Sequence, residues 1–221
     1  MTHRNRGGAF IAIEGPDGAG KSTQAALLAE RIEREARLQV VRVREPGGTP
    51  TGERVREVLL DPALSAMCPW TELLLYMASR AQLVGEVIRP ALAAGQVVIS
   101  DRFLLSSIVY QGYAGEIGPR PVLALARAAL GGSLPDLTVI VDVPASQGLS
   151  RSSKRRRAGK GGRAARADRV EAKGVAYAER VRRGFLDAGK RRLAGRTVIV
   201  DGRAPVGEVA EEIWHEVRRV I

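Results

Sequence analysis

A glycine-rich stretch near the start of the chain has the residue types and spacing of a phosphate-binding loop. It reads Gly15-Pro16-Asp17-Gly18-Ala19-Gly20-Lys21-Ser22-Thr23, in the pattern G-x-x-x-x-G-K-S. Glycine tolerates the sharp backbone turns that aim successive N–H groups at one anion. In this pattern the lysine reaches the β- and γ-phosphates and the following hydroxyl binds Mg²⁺. The sequence therefore predicts that residues 15–23 bind ATP, with Lys21 on the phosphates and Ser22 at the metal.

Charged residues follow two other predicted strands. Arg44 opens the stretch Arg44-Glu45-Pro46-Gly47-Gly48-Thr49 after the second strand, and Asp101 and Arg102 follow the third. The carboxyl ends of parallel strands lie at one edge of a sheet, where ligands bind, so we expect these charges beside the phosphate loop. An ion pair that only supports a strand end is the alternative for Asp101 and Arg102. The neighbouring phosphate loop favours a binding role.

Tyr76 and Arg80 are four residues apart in a predicted helix and therefore share one of its faces. An aromatic ring beside a guanidinium group is able to hold a nucleobase by stacking and hydrogen bonding. The alternative is that Tyr76 belongs to the core, as most tyrosines in leucine-rich helices do.

Short apolar runs alternate with longer helical segments along the chain. The runs are nearly continuous, which is typical of parallel strands covered on both faces, and they span residues 9–13, 39–43, 96–100, 137–143 and 197–200. Helices are predicted over residues 21–37, 51–60, 71–94, 104–111, 121–130, 169–188 and 205–220. This alternation predicts an α/β fold with a five-stranded, doubly wound parallel sheet flanked by helices.

The chain has 221 residues, enough for one domain with a substantial core. We expect a disordered polar tail over residues 1–8 and a single domain over residues 9–221. The net charge of +11 is concentrated, because ten basic and two acidic residues lie between Arg151 and Lys173. The segment Ser150–Ala167 lacks large apolar side chains, so we expect a mobile basic flap at about residues 150–168.

The composition also predicts where the chain works. No apolar run approaches the length of a membrane span, and no export signal is recognisable. The single cysteine, Cys68, cannot form a disulfide within the chain, which suits a reducing compartment. The basic segment has no interleaved aromatic residues for base stacking. We therefore expect a cytoplasmic protein without a membrane or nucleic-acid partner.

In order and spacing, these stretches resemble thymidylate kinase. Besides the phosphate loop, the resemblance is carried by Arg44–Thr49, Tyr76-x-x-x-Arg80-x-Gln82, Asp101-Arg102-Phe103 with Tyr110-Gln111-Gly112, Asp142-Val143, and Asp168-Arg169-Val170-Glu171. It covers Phe10 to Val209, and the Arg-Glu-Pro-Gly-Gly-Thr and Asp-Arg pieces distinguish it from adenylate, guanylate and cytidylate kinases. The resemblance implies a P-loop NTPase fold and a homodimer. It also implies phosphorylation of dTMP to dTDP by ATP and Mg²⁺, which feeds dTTP synthesis.

The resemblance further implies roles for single residues. Those implied to bind dTMP are Asp17, Arg44, Tyr76, Arg80, Arg102, Ser107, Tyr110 and Gln111. Among them, Tyr76 would stack on thymine and Arg80 would bond its carbonyl. Asp101 would lie near Mg²⁺ together with Ser22.

The basic segment falls where this family carries its lid. Residues 16–19 include no cation, so the chain is similar to the bacterial type, whose lid supplies the catalytic arginine. The implied catalytic residues are Lys21, Arg102, Asp17 and, from the lid, Arg155, with Arg151 and Arg166 as open alternatives. Two features depart from the family: the lid is longer and more basic, and Phe103 stands where tyrosine or histidine is frequent.

The residues alone are also compatible with two other functions. One is a different P-loop kinase that acts on another nucleotide or on a deoxynucleoside. The other is a P-loop ATPase that binds nucleic acid through the basic segment, which would show steeply salt-dependent affinity for polynucleotides.

Overall fold

The chain folds around a five-stranded parallel sheet, and the structure, a computed structural model, describes residues 8–157 and 174–221. The strands are β1 Phe10–Glu14, β2 Val40–Arg44, β3 Val97–Asp101, β4 Leu137–Asp142 and β5 Thr197–Asp201. They lie in the order β2-β3-β1-β4-β5, and every neighbouring pair is parallel. The predicted sheet is confirmed, and each predicted strand end lies within about one residue of the observed one.

Helices cover both faces of the sheet. They are α1 Lys21–Arg31, α2 Pro50–Leu60, α3 Pro69–Leu83, α4 Arg89–Ala93, α5 Leu104–Ser107, α6 Pro119–Leu130, α7 Ala145–Arg157, α8 Gly174–Lys190 and α9 Val206–Val217. Turns of π-helix extend α1, join α3 to α4 and extend α5, at Ile32–Ala36, Val84–Ile88 and Ile108–Tyr113. Within the two described ranges, no helix has the length and apolarity needed to cross a membrane.

Helix α7 is the element that the sequence does not predict. It includes the first part of the segment expected to be a flap, and it is rich in Arg, Lys and Ser. Its buried positions are small residues such as Ala145 and Ser152, so it shows no periodic stripe of large apolar side chains. The rest of the expected flap and the start of the helix predicted over residues 169–188 lie outside the described residues.

Of the residues expected to form a disordered tail, the structure describes Gly8. Gly8, assigned to the tail from the sequence, donates its backbone N–H to the Leu92 carbonyl oxygen at 3.0 Å. Residues 1–7 lie outside the described part of the chain.

Alternate residues of the central strand β1 enter two different cores. Phe10 packs with the buried side chains of α3, α6 and α8, including Phe185. Ile11 and Ile13 pack on the other face with those of α1 and α9, including Ile213. Because both faces of β1 are covered, its carboxyl end is fixed in position where the phosphate loop begins.

The order of the strands places the other charged residues beside that loop. Strand β3 is a direct neighbour of β1, with Asp101 in register with Ile13. The N–H of Arg102 donates to the carbonyl oxygen of Ile13 at 3.0 Å. Arg44 of β2 is in register with Asp101 on the far side. The sheet therefore brings three of the predicted site residues to one edge.

Candidate active site

The phosphate loop follows β1 and ends where α1 begins at Lys21. Gly15, Gly18 and Gly20 have φ values of 135°, 75° and 94°, a region that residues with a side chain rarely adopt. No side chain caps the amino terminus of α1. Its first N–H groups are therefore available to an anion, which the helix dipole also attracts.

Lys21 is buried beneath this loop, with 7% of its surface exposed. Its Nζ donates to the carbonyl oxygen of Pro16 at 2.8 Å, across the loop. Burial, assisted by the charge of Arg102, lowers the pKa of Lys21 to about 8. The hydrogen-bond partner of the ammonium group is a neutral carbonyl. A negatively charged phosphate oxygen would be a stronger partner.

Ser22 and Asp101, the two residues expected near the metal, are hydrogen-bonded to each other. The Ser22 hydroxyl donates to Asp101 Oδ2 at 2.5 Å, so a hydroxyl and a carboxylate oxygen lie side by side next to the loop. Mg²⁺ prefers such oxygen ligands and is held in nucleotide enzymes by one or two protein groups plus substrate phosphates. The described residues contain no cluster of three or more His, Cys, Asp or Glu side chains that could hold a metal. The donor set fits Mg²⁺ bound together with a nucleotide.

Arg102 lies between the phosphate loop and the segment after β3. Its backbone adopts a φ of 72°, unusual for a residue with a side chain, and functional sites concentrate such strain. Its guanidinium donates to the Gly15 carbonyl oxygen at 3.2 Å, to Ser106 Oγ at 3.1 Å and to the Asp17 carboxylate. It also lies 5.2 Å from the centre of the Tyr110 ring. The side chain is thus held in one orientation.

Asp17 connects the loop to these residues. One carboxylate oxygen of Asp17 accepts a hydrogen bond from Arg102, and the other accepts one from the Tyr110 hydroxyl at 3.1 Å. Burial alone would raise the pKa of Asp17, but the charges of Arg102 and Lys21 outweigh it and hold the pKa below its ordinary value. The carboxylate is therefore ionised at neutral pH.

Glu14 is a site residue that the sequence analysis missed. It is fully buried at the end of β1 and accepts from the N–H groups of Phe103 and Ser106 at 2.8 and 3.0 Å, and from Ser106 Oγ at 2.6 Å. Burial raises its pKa, although Ser106 and Arg102 oppose the rise. Glu14 thereby fixes the segment that carries Arg102. The available signal was an acidic residue closing an apolar strand directly before Gly15.

Arg80 forms part of the opposite wall of the site and is almost completely buried. Its guanidinium donates to Glu45 Oε2 at 2.7 Å, to Ser107 Oγ at 3.0 Å and to the Phe103 carbonyl oxygen at 3.1 Å. Burial raises the pKa of Glu45 to about 7, against the opposing charge of Arg80. Glu45, which was given no role from the sequence, is the buried acid paired with Arg80.

Between these groups lies a cleft of about 330 Å³. The residues predicted from the sequence that line it are Asp17, Gly18, Gly20, Lys21, Ser22, Thr23, Arg44, Tyr76, Arg80, Asp101, Arg102, Ser107, Tyr110 and Gln111. Gln111 is oriented by a 2.6 Å bond from its Nε2 to Glu72. Arg44, at the rim, forms an ion pair with Glu53 of α2 at 3.0 Å. The fold thus gathers the predicted nucleotide-binding residues around one cavity.

Of the three arginines predicted for the lid, the structure describes the side chain of Arg151 alone. Arg151 of α7 donates to the Gly202 carbonyl oxygen at 3.2 Å. Arg155 belongs to α7, but its side chain lies outside the described part of the structure. Arg166 falls in the range that is not described.

The sheet order, the loop after β1 and a second cationic position at the same edge define a P-loop phosphotransferase, which binds a nucleoside triphosphate next to a second ligand. Comparison with known proteins narrows this class. A family model described as thymidylate kinase matches residues 13–213. The chain belongs to the thymidylate kinase family.

Individual relatives agree with the family match. The thymidylate kinase of Desulforudis audaxviator is 44% identical over 214 residues, which are 97% of this chain and 92% of that protein. That of Pseudomonas fluorescens is 46% identical over 206 residues, 93% of each chain. The crystal structure of thymidylate kinase from Ehrlichia chaffeensis has a TM-score of 0.73 at 30% identity, and the match covers 96% of this chain and 99% of that one.

Proposed function

We propose that this chain transfers the γ-phosphoryl group of ATP to the phosphate of dTMP, giving ADP and dTDP for dTTP synthesis. The observation that carries the proposal is the position of Arg102. Its guanidinium lines the cleft next to the phosphate loop and is held there by Gly15, Ser106 and Asp17. An acceptor that already carries a phosphate gives this cation a second anionic partner besides Asp17, whereas a nucleoside does not.

On the donor side, the ATP phosphates accept from the backbone N–H groups of the loop. Lys21 exchanges its bond to the Pro16 carbonyl for one to a phosphate oxygen. Ser22 and Asp101, whose oxygens lie side by side, would hold Mg²⁺. When bound, the ion neutralises charge on the β- and γ-phosphates.

On the acceptor side, no strong general base is needed, because a phosphate oxygen is already ionised. The chemistry requires instead that two anions approach each other in line, which positioned cations make possible. Arg102 binds the acceptor phosphate, while Asp17 orients Arg102 and Tyr110. Arg155 remains our candidate for the arginine that stabilises the transferred group.

The base is bound at the far end of the cleft. Tyr76 provides an aromatic surface for stacking, and Arg80, Ser107 and Gln111 provide hydrogen-bonding groups for the edge of thymine. Since Arg80 is held by Glu45 and Gln111 by Glu72, these groups are oriented before the base arrives.

A coupled assay of ADP production tests the proposal with dTMP, dUMP, dCMP, AMP, GMP and thymidine as acceptors. We expect dTMP to give the highest kcat/KM, and dUMP to be several-fold poorer because its missing methyl group costs about 1 kcal/mol. Higher activity with thymidine than with dTMP would establish a deoxynucleoside kinase instead. Hydrolysis of ATP that is stimulated by polynucleotide and suppressed by salt would establish the nucleic-acid alternative.

We also propose that the chain is a cytoplasmic homodimer that associates through α3. Trp70 and Leu74 of this helix are 50% and 52% exposed, and Leu64, which precedes the helix in the chain, is also exposed. The free thiol of Cys68 suits a reducing compartment. Light scattering after gel filtration should give the mass of a dimer, and the double variant Trp70→Asp, Leu74→Asp should give that of a monomer. A monomeric wild-type chain at micromolar concentration contradicts the dimer.

A further inference from the structure

Helix α7 meets the phosphate loop at two glycines, Gly148 of the helix and Gly18 of the loop. A Cβ atom on Gly148 would lie less than 3.0 Å from the backbone oxygen of Asp17. A Cβ on Gly18 would lie equally close to the backbone of Gly148. Real Cβ atoms essentially never show such distances. The two backbones therefore approach each other with no side chain between them.

The need for glycine at position 148 arises from space and not from backbone conformation. Gly148 does not have the left-handed φ that Gly18 has. Its N–H donates to the Pro144 carbonyl oxygen at 3.0 Å, as expected in the first turn of a helix. Alanine at such a position favours the helix by about 1 kcal/mol over glycine. Alanine at position 148 would thus favour the helix, but it would clash with the backbone of Asp17.

The peptide that touches α7 is also the one that positions the acceptor-side groups. Asp17 holds the guanidinium of Arg102 and the hydroxyl of Tyr110. The next residue, Gly18, lines the cleft and belongs to the loop that we propose for the donor phosphates. A displacement of this peptide by a few tenths of an ångström would move both ends of the reaction at once, and in-line transfer is sensitive to such shifts.

We infer that Gly148 is a positioning residue for phosphoryl transfer: its bare Cα lets α7 support the Asp17–Gly18 peptide in the conformation that aligns the two phosphates. The inference rests on the proposed function. It assigns a role in the reaction to a residue of α7 that is not among those lining the cleft.

The variant Gly148→Ala tests it. Gly207→Ala is the matched control, because Gly207 is also helical, in α9, and a Cβ there meets nothing within 4 Å. Ile213→Ala is a second control, since it removes a buried side chain of α9 and lowers stability away from the loop. Calorimetric titration with ATP gives the binding-competent fraction from the stoichiometry, so that kcat can be stated per folded molecule.

We expect Gly148→Ala to lower kcat per folded molecule at least about tenfold, with a melting temperature within about 4 °C of wild type. Gly207→Ala should stay within about twofold in kcat, and Ile213→Ala should melt earlier with kcat per folded molecule unchanged. The inference is overturned if Gly148→Ala has the wild-type kcat or does not fold. It is also overturned if the loss of activity of Gly148→Ala is explained entirely by its unfolded fraction, as in Ile213→Ala. A wild-type chain that produces no dTMP-dependent ADP would instead refute the proposed function.

Discussion

At the scale of single residues, Lys21 shows how binding is favoured over stability. Its ammonium group is buried against the Pro16 carbonyl, and its pKa falls from 10.5 to about 8. Below pH 8 the side chain is charged in both the folded and the unfolded chain, so the folded state bears the full cost of burying the charge. That cost is about 3–4 kcal/mol at about 1.4 kcal/mol per pKa unit.

The variant Lys21→Met should therefore be more stable than wild type when unfolded by urea at pH 7 without nucleotide. Between pH 8 and 10.5 the wild-type lysine loses its proton in the folded state first, so wild-type stability rises with pH and the difference should shrink. Activity should fall by at least about a hundredfold. Lys190→Met, at an exposed position of α8, should change neither quantity. Lower stability of Lys21→Met at pH 7 would contradict the assignment.

The residues around the cleft were predictable to different degrees. Those in the phosphate loop and after β3 were found because their spacing and their place at strand ends carry the signal. Glu14, Glu45 and Glu72 were not found, since each is a buried acid whose partner is distant in sequence, such as Arg80 for Glu45. Patterns of local periodicity do not predict which residues pair when they are far apart in the sequence.

At the scale of elements, β1 and the segment after β3 are connected by one side chain. Glu14 accepts two backbone N–H groups and one hydroxyl from Phe103 and Ser106. The connection determines where the Arg102 guanidinium lies relative to the loop.

Glu14→Ala should leave these buried donors unpaired and lower the free energy of unfolding by about 2–4 kcal/mol. It should also lower kcat/KM for dTMP at least about tenfold, because the segment that carries Arg102 is released. Urea unfolding and initial rates measure the two effects. Glu14→Gln, which retains an acceptor oxygen, should lose less, and Glu212→Ala, exposed on α9, should lose nothing. An Ala variant with wild-type stability would show that Glu14 is dispensable.

The elements themselves follow the strength of their sequence signals. The strands were predicted almost to the residue because each is a continuous apolar run between polar segments. The predicted helix over residues 71–94 is one continuous path in the structure, although a π-helical turn divides it. Helix α7 was not predicted from the sequence because it contacts the loop through Gly148. A helix face made of small residues has the same composition as a flexible segment.

At the scale of the whole molecule, one edge of the sheet holds the groups that we propose for both ligands around a single cleft. The groups proposed for the donor come from the loop after β1, and those proposed for the acceptor come from the ends of β2 and β3 and from α3. Each ligand should therefore stabilise the fold by mass action, independently of the other.

Arg102→Ala should separate the two effects in thermal unfolding. A ligand at a hundred times its Kd contributes about 2.7 kcal/mol, or about 5–10 °C for a chain of this size. We expect wild type to show a shift with dTMP and with ATP and Mg²⁺, and the variant to retain only the shift with ATP and Mg²⁺. Arg219→Ala, which removes a surface ion pair with Glu216, should retain both. A full dTMP shift in Arg102→Ala would remove Arg102 from the acceptor site.

The pairing of Lys21 with a neutral carbonyl also has a calorimetric consequence. When a triphosphate replaces that carbonyl, the lysine regains an anionic partner and its proton affinity increases. Near pH 8, where about half of the molecules lack that proton, ATP binding should draw about half a proton from the buffer. The heat of binding should then depend on the ionisation enthalpy of the buffer, with a slope that vanishes near pH 6 and in Lys21→Met. A slope of zero at pH 8 would mean that Lys21 is already fully protonated before the nucleotide arrives.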